Sequence, residues 1–350
     1  MKQLIIRILT SITRRLINSS PPAVAVAIKD DLLSKIDTYT NGYTSVLSRP
    51  KTAAQIHTVS MFAPLKEKVA IVIQGPVVEE HNFTIETIRM YKKNYPDHVI
   101  IVSAWNDTPE QVARQLEDEQ VIVLLNSKPD KSGALNINFQ IRSSLRGIEK
   151  AKELGCTYVY KTRSDQRLYA TDMTHYLLAV LRQFPLSGIT TPQNYRLISS
   201  SMTTLKYRPY GIGDMLMFGE INDMLLYWDS KPDDRKMTKE DIPALSVLET
   251  AKLKLAETYL CTNFLDKIGY TYDFTLSDSQ HVYRSLFYSV DFELLKLFWY
   301  KYNWRDESRY DYFQAHTYEL LREKDSRLLV AGNQCVNQED VLHRKEGGQL

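Results

Sequence analysis

The stretch "YVYKTRSDQRLY", Tyr158 to Tyr169, sets one carboxylate, Asp165, among the cations Lys161, Arg163 and Arg167, directly after an apolar run. Two kinds of chemistry suit that pattern. Asp165 could pair with a neighbouring arginine as a structural ion pair. It could also ligate Mg²⁺ or Mn²⁺, because such an ion on a diphosphate needs only one or two carboxylates, with phosphate oxygens and water completing the shell. The ion would neutralise charge on a departing diphosphate. Lys161, Arg163 and Arg167 would then add cationic stabilisation to the same leaving group.

Three further stretches carry candidate groups. In "KSGALNINFQIRSSLRGI", Ser132 could cap a helix and Gly133 would let the backbone approach a ligand. Asn136 and Asn138 straddle that helix start, which favours anions, and Arg142 lies one turn beyond Asn138. Capping accounts for Ser132 but not for the two asparagines. In "RPYGIGDMLMFG", Asp214 follows Gly211 and Gly213; it could line an acceptor pocket or simply make a turn. Glu257 opens "ETYLCTNFL" and could deprotonate an attacking hydroxyl. An acid near a helix start is also favourable without any catalysis. His281 could be a late metal ligand, although a lone histidine is more often structural.

These groups need a frame, and the hydrophobic rhythm supplies one. From Val69 the chain alternates β-branched runs, "VAIVIQGPV", "HVIIVSAW", "QVIVLLN" and "CTYVYKTR", with segments of helical spacing. Residues 244–270 read as one further helix, and the aromatic-rich C-terminus as mostly core. Alternating strands and helices predict an α/β fold with a mostly parallel sheet flanked by helices. Right-handed crossovers put the C-terminal ends of the strands on one edge, where ligands of open sheets bind. Gln74 to Pro76, Asn106 to Thr108, Asn126 to Lys131 and Arg163 to Arg167 all follow strand ends and so are expected to converge.

Composition narrows the classes. The 350 residues are 43% hydrophobic and 25% charged, ordinary for a globular chain, and the net charge of +2 argues against a nucleic-acid partner. Cys156, Cys261 and Cys335 form no CxxC pair, so a reducing compartment is the default. No Walker loop and no GxGxxG is present; the first turn is "QGPVVEEHNF". Phosphates would have to be met by side chains and a metal. The first twenty residues carry Lys2, Arg7, Arg14 and Arg15 and no acid, with Ile5, Ile8, Leu9, Ile12 and Leu16 on one helical face. That pattern fits a basic amphipathic helix on an anionic membrane surface, or a helix docked on the protein's own core.

The strand ending in "QGP", the next ending in "SAWND", then "NINFQIRSSLRGIEKA", "YVYKTRSDQRL", "GIGDMLMFG" and "ETYLCTNFL" together resemble the WavE lipopolysaccharide-synthesis family, which is similar to GT-A-fold glycosyltransferases. The resemblance covers roughly residues 66–280. It implies a nucleotide-sugar donor, a lipid-linked or oligosaccharide acceptor and a divalent metal. It places Gln74, Gly75 and Pro76 at the nucleotide-contacting turn, Asp107 near the base or ribose, and Asp214 and Glu257 on the acceptor side. The Asp-x-Asp triplet usual in GT-A enzymes is here Arg163-Ser164-Asp165, leaving Asp165 as the one ligand carried over. The expected organisation is an amphipathic helix over 1–20, a lead-in segment over 21–65, the GT-A-like domain over 66–280 and a helical extension over 281–350. The expected location is the cytoplasmic face of the membrane. A nucleotidyltransferase or a non-catalytic membrane-associated scaffold on the same fold are the alternatives.

Overall fold

The computed structural model describes residues 11–13, 15, 19, 21–43, 47–57, 62–238, 240–243, 245–301 and 319–333. The amphipathic helix expected over residues 1–20 lies largely outside these, as do 302–318 and 334–350 of the C-terminal extension. Residues 1–50 and 51–350 form two compact units. In the first, helix α1 (Pro22–Thr40) ends at Asn41, whose left-handed conformation stops the helix. None of the described helices is long and apolar enough to cross a membrane.

The second unit begins with the expected alternation: β1 (Val69–Gln74), α2 (Phe83–Asn94), β2 (Val99–Trp105), α3 (Glu110–Asp118), β3 (Ile122–Asn126), α4 (Ile137–Glu153) and β4 (Tyr158–Arg163). It continues with β5 (Gln166–Leu168), α5 (Met173–Gln183), β6 (Leu197–Ser200), β7 (Met217–Glu220), α6 (Ile221–Trp228), α7 (Val247–Lys252), α8 (Ala256–Lys267), α9 (Leu276–Leu286), β8 (Phe287–Val290), β9 (Leu297–Trp299) and α10 (Glu323–Val330). The main sheet has the order β3-β2-β1-β4-β7-β6-β8. β1 pairs in parallel with β2 and β4, while β7 runs antiparallel to both β4 and β6. This mostly parallel sheet with one reversed strand is the GT-A-like α/β architecture expected from the sequence.

Both faces of the sheet are covered, which is why the first strands read as unbroken apolar runs. Along β1, Val69, Ile71 and Ile73 point into one core with Ile88 and Tyr91 of α2 and Leu177 of α5. Ala70 and Val72 point into the other, with Ile141 and Ile148 of α4, Met224 of α6 and Phe264 of α8.

Two expectations on the second half need correction. The single helix read over 244–270 is broken into α7 and α8, because Lys254 and Ala256 adopt positive φ at 49° and 42°. The break gives Glu257 a helix start of its own. The sheet also does not end near residue 280. β8 adds to it in parallel beside β6, and β9 pairs antiparallel with β5, so part of the region read as a helical extension is strand.

Candidate functional site

Strand order reverses between β1 and β4: the chain builds outward to β3 and then crosses back. That reversal opens a crevice beyond the strands' C-terminal ends, where Gln74 of β1 and Arg163 of β4 are register partners. The turn after β1 is fastened to β4. Ser164 N–H donates to the Gln74 carbonyl at 2.9 Å, and Ser164 Oγ donates to the Pro76 carbonyl at 2.6 Å. Gly75 has φ 113°, and a Cβ there would lie 3.0 Å from Ser164 Oγ. Only glycine lets this turn close onto β4. Ser143 of α4 donates to Gln74 Oε1 at 2.7 Å, which orients that side chain.

Asp165 follows β4 by two residues and is not a free ligand. Arg163 donates to both its oxygens, Nε to Oδ1 at 2.9 Å and Nη2 to Oδ2 at 3.0 Å, and Trp299 Nε1 donates to Oδ2 at 3.1 Å. Burial alone would raise the Asp165 pKa; the Arg163 and Trp299 hydrogen bonds outweigh it and hold the carboxyl below its usual range. The expected Mg²⁺ or Mn²⁺ at Asp165 does not fit these donors. Both oxygens are engaged, and a divalent ion would have to sit against a guanidinium. Among the described residues no cluster of three or more His, Cys, Asp or Glu could hold a metal ion.

Two other candidate cations prove structural. Arg167, expected to meet the donor, is buried: Nε donates to Thr87 Oγ1 at 2.7 Å, Nη1 to the Lys51 carbonyl at 2.9 Å and Nη2 to the Phe83 carbonyl at 2.9 Å, with the guanidinium 4.1 Å from the Phe83 ring. It pins the start of α2. Arg167→Ala leaves those acceptors without their donor and should cost about 4 kcal/mol of stability. Nucleotide affinity of the folded protein should be unchanged; denaturant titration alongside a binding isotherm checks both. Lys161 is fully buried in β4, donates to the Asp214 carbonyl and lies 4.4 Å from the Trp228 ring centre. Burial lowers its pKa to about 8, against the opposing pull of Asp214. Fully buried, it cannot reach a substrate.

The asparagine readings divide. Asn138, expected on a ligand, is a buried clamp: Nδ2 donates to the Lys131 and Asp233 carbonyls at 2.9 and 2.8 Å, and Oδ1 accepts from Asp233 N–H at 2.7 Å. Asn136 is exposed with φ 64° and turns the chain into α4, and Arg142 is exposed on that helix. Asp107 pairs with Lys128 at the β2–β3 edge; that hydrogen bond lowers its pKa. His281 accepts from Arg284 through Nδ1, on α9.

The structure brings Asp214 and Glu257 together. Gly213 makes the approach to β7 possible, since a Cβ there would lie 2.6 Å from the Met202 carbonyl oxygen. Asp214 is 2% exposed and its Oδ2 has no hydrogen-bond partner among the described residues. Glu257, in the first turn of α8, keeps 14% of its side chain exposed and lies 3.6 Å from Arg208. Burial and the nearby Asp214 carboxylate raise Glu257 to about 7, with Arg208 opposing. A glutamate poised near neutrality, partly open to solvent and backed by a buried acid, has the attributes of a general base. Arg208 and Trp299 carry no sequence signal that marks them for the site. Arg208 stood inside "YRPYGIG", and Trp299 inside the aromatic C-terminal run, with no local pattern to separate it from core.

Topology and crevice define a GT-A-like α/β protein with its candidate site at the β1/β4 reversal. The WavE lipopolysaccharide synthesis family matches residues 69–282, more than half of the chain, and the chain belongs to that family. No curated protein matches. Among solved structures, a cytidylyltransferase from Leptospira borgpetersenii is similar at 11% identity and TM-score 0.28, over 45% of this chain and 62% of that one. Staphylococcus aureus TarS 1–349 is similar at 12% identity and TM-score 0.29, over 57% and 71%. Core-mannan synthase A from Aspergillus fumigatus, in an Mn/GDP form, is similar at 8% identity and TM-score 0.25, over 71% and 80%. Likenesses this distant say nothing about the chemistry of this chain.

Proposed function

We propose that this protein is a glycosyltransferase that moves a sugar from a nucleoside-diphosphate sugar to a hydroxyl of lipopolysaccharide or another cell-surface glycan. The observation that carries it is Glu257: a partly exposed carboxylate at a helix start, raised toward neutrality by burial and Asp214, in a protein of a lipopolysaccharide-synthesis family. Glu257 takes the proton of the acceptor hydroxyl. The acceptor oxygen bonds to the anomeric carbon as the bond from that carbon to the diphosphate oxygen breaks. The diphosphate leaves with the electron pair, and the Arg163 guanidinium meets the charge that develops on it. A base placed this way serves a single displacement with inversion of the anomeric centre.

Calorimetry with UDP, GDP and CMP tests the donor side. One nucleoside diphosphate should bind, and chelation with EDTA should leave its affinity unchanged, because Arg163 already occupies both Asp165 oxygens. If none of the three nucleotides binds, the transferase reading fails. We further propose that the basic N-terminal segment keeps the protein peripheral to the cytoplasmic membrane face, a reading supported by its charge and apolar spacing alone. Deleting residues 2–19 should then move the protein to the soluble fraction, and continued sedimentation with membranes would sink this idea.

A further inference from the structure

Asp165 is held by β9, a strand beyond the family's matched segment. β5 starts directly after Asp165 and pairs antiparallel with β9, which places Trp299 opposite Gln166. The last residue of the partner strand and the one after it then bond Asp165: Trp299 Nε1 donates to its Oδ2 at 3.1 Å, and Tyr300 N–H donates to its backbone carbonyl at 2.9 Å. The Arg163 guanidinium carbon lies 5.9 Å from the centre of the Trp299 ring. The Tyr300 ring centre lies 4.6 Å from that of Phe83, the residue whose ring Arg167 covers. The strand is therefore tied down on both sides of the β4 end.

We infer that Trp299 is a positioning residue of the donor site: its indole N–H fixes Asp165, and Asp165 holds the Arg163 guanidinium in the plane in which it meets a diphosphate. The inference rests on the proposed transferase reading, and it extends the site past residue 282 into a strand to which the family match assigns nothing. The physical reason is the geometry of the pair. A guanidinium presents its donors in one plane, so a carboxylate bound through Nε and Nη2 fixes the orientation of the whole Arg163 guanidinium. A carboxylate free to rotate would not set that orientation. The indole N–H removes the rotation while leaving the charge of the pair unchanged.

The test is a double-mutant cycle on the full-length protein, read by calorimetry with UDP and GDP. Trp299→Phe keeps an aromatic ring but loses the N–H donor together with part of the indole's packing against the core; it should weaken nucleoside-diphosphate binding about fivefold with only a small drop in melting temperature. In an Arg163→Ala background the same change should have no further effect, because Trp299 acts only through Asp165 and Arg163. Asp165→Asn, which leaves the Trp299 side chain in place, should reproduce the weakening. Unaltered affinity in Trp299→Phe, or its full effect persisting without Arg163, would overturn the inference and leave the transferase reading intact. So would a large drop in melting temperature with Asp165→Asn binding as the unaltered protein does. If the unaltered protein binds neither nucleotide, the transferase reading itself fails and the role of Trp299 falls with it.

Discussion

Glu257→Gln should reduce sugar transfer by about 10²- to 10⁴-fold while nucleotide binding stays intact. The substitution keeps the size of the side chain and removes its ability to accept a proton. Its counterpart is a pH profile. Glu257 works as a base only when ionised, and its pKa is raised to about 7. Transfer by the unaltered protein should therefore fall about tenfold per pH unit below about 7 and level off above it. The same shift fixes the sign on stability. A carboxyl raised in the folded state stabilises the fold below its unfolded pKa, and that contribution is lost as pH rises through the folded value. At pH 8 a neutral glutamine replaces a buried charge beside Asp214, so the melting temperature should hold or rise. Transfer assays with labelled donor from pH 5.5 to 9, beside thermal melts, check both halves. A flat acid limb, or full activity in Glu257→Gln, would remove Glu257 from the reaction.

Arg163→Ala should have the second large effect, and it should strike twice. It deletes the guanidinium proposed to meet the diphosphate, and it leaves Asp165 as a largely buried carboxylate without its partner. Arg163 and Asp165 are 19% and 15% exposed, so the loss of stability should sit near the low end for a broken buried pair, about 3 kcal/mol. The Arg163→Ala, Asp165→Ala double variant should regain most of that stability, because no charge is then stranded, yet bind nucleotide no better than the weakened but still measurable Arg163→Ala single variant. Folding and binding separate in this comparison: a double variant that recovers both would make the pair structural only. The pair also predicts a pH dependence. Asp165 is held below its usual pKa, so its contribution is present above the unfolded carboxyl value and is lost as pH falls through the lower folded value. The stability gap between the unaltered protein and the double variant should narrow in acid.

The elements that build the crevice were legible because each carries a local signal. β1 to β4 are apolar runs separated by segments of helical spacing, and their bounds fall within three residues of those runs. β6, β8 and β9 were not legible, being three or four residues long; β6 lies in a serine- and threonine-rich stretch, and β8 and β9 are set among aromatic residues that read equally as helix or core. The break between α7 and α8 was hidden as well, since nothing in "KLKLAE" announces positive φ at Lys254 and Ala256.

The sequence by itself determined the residue types at the strand ends: the glycine that lets the first turn close, the acid two residues after β4, and the glutamate at the start of "ETYLCTNFL". Local spacing suffices for these, because a strand end and a helix start are set by neighbours a few residues away. Only the tertiary structure decided which of these groups face one another. It set Asp214 against Glu257, forty-three residues apart, and so gave Glu257 its raised pKa. It sent Arg167 into the core against α2 and brought Trp299 back from beyond the matched segment to hold Asp165. A charge takes its meaning from its partners and its burial, and both belong to the packing of distant segments.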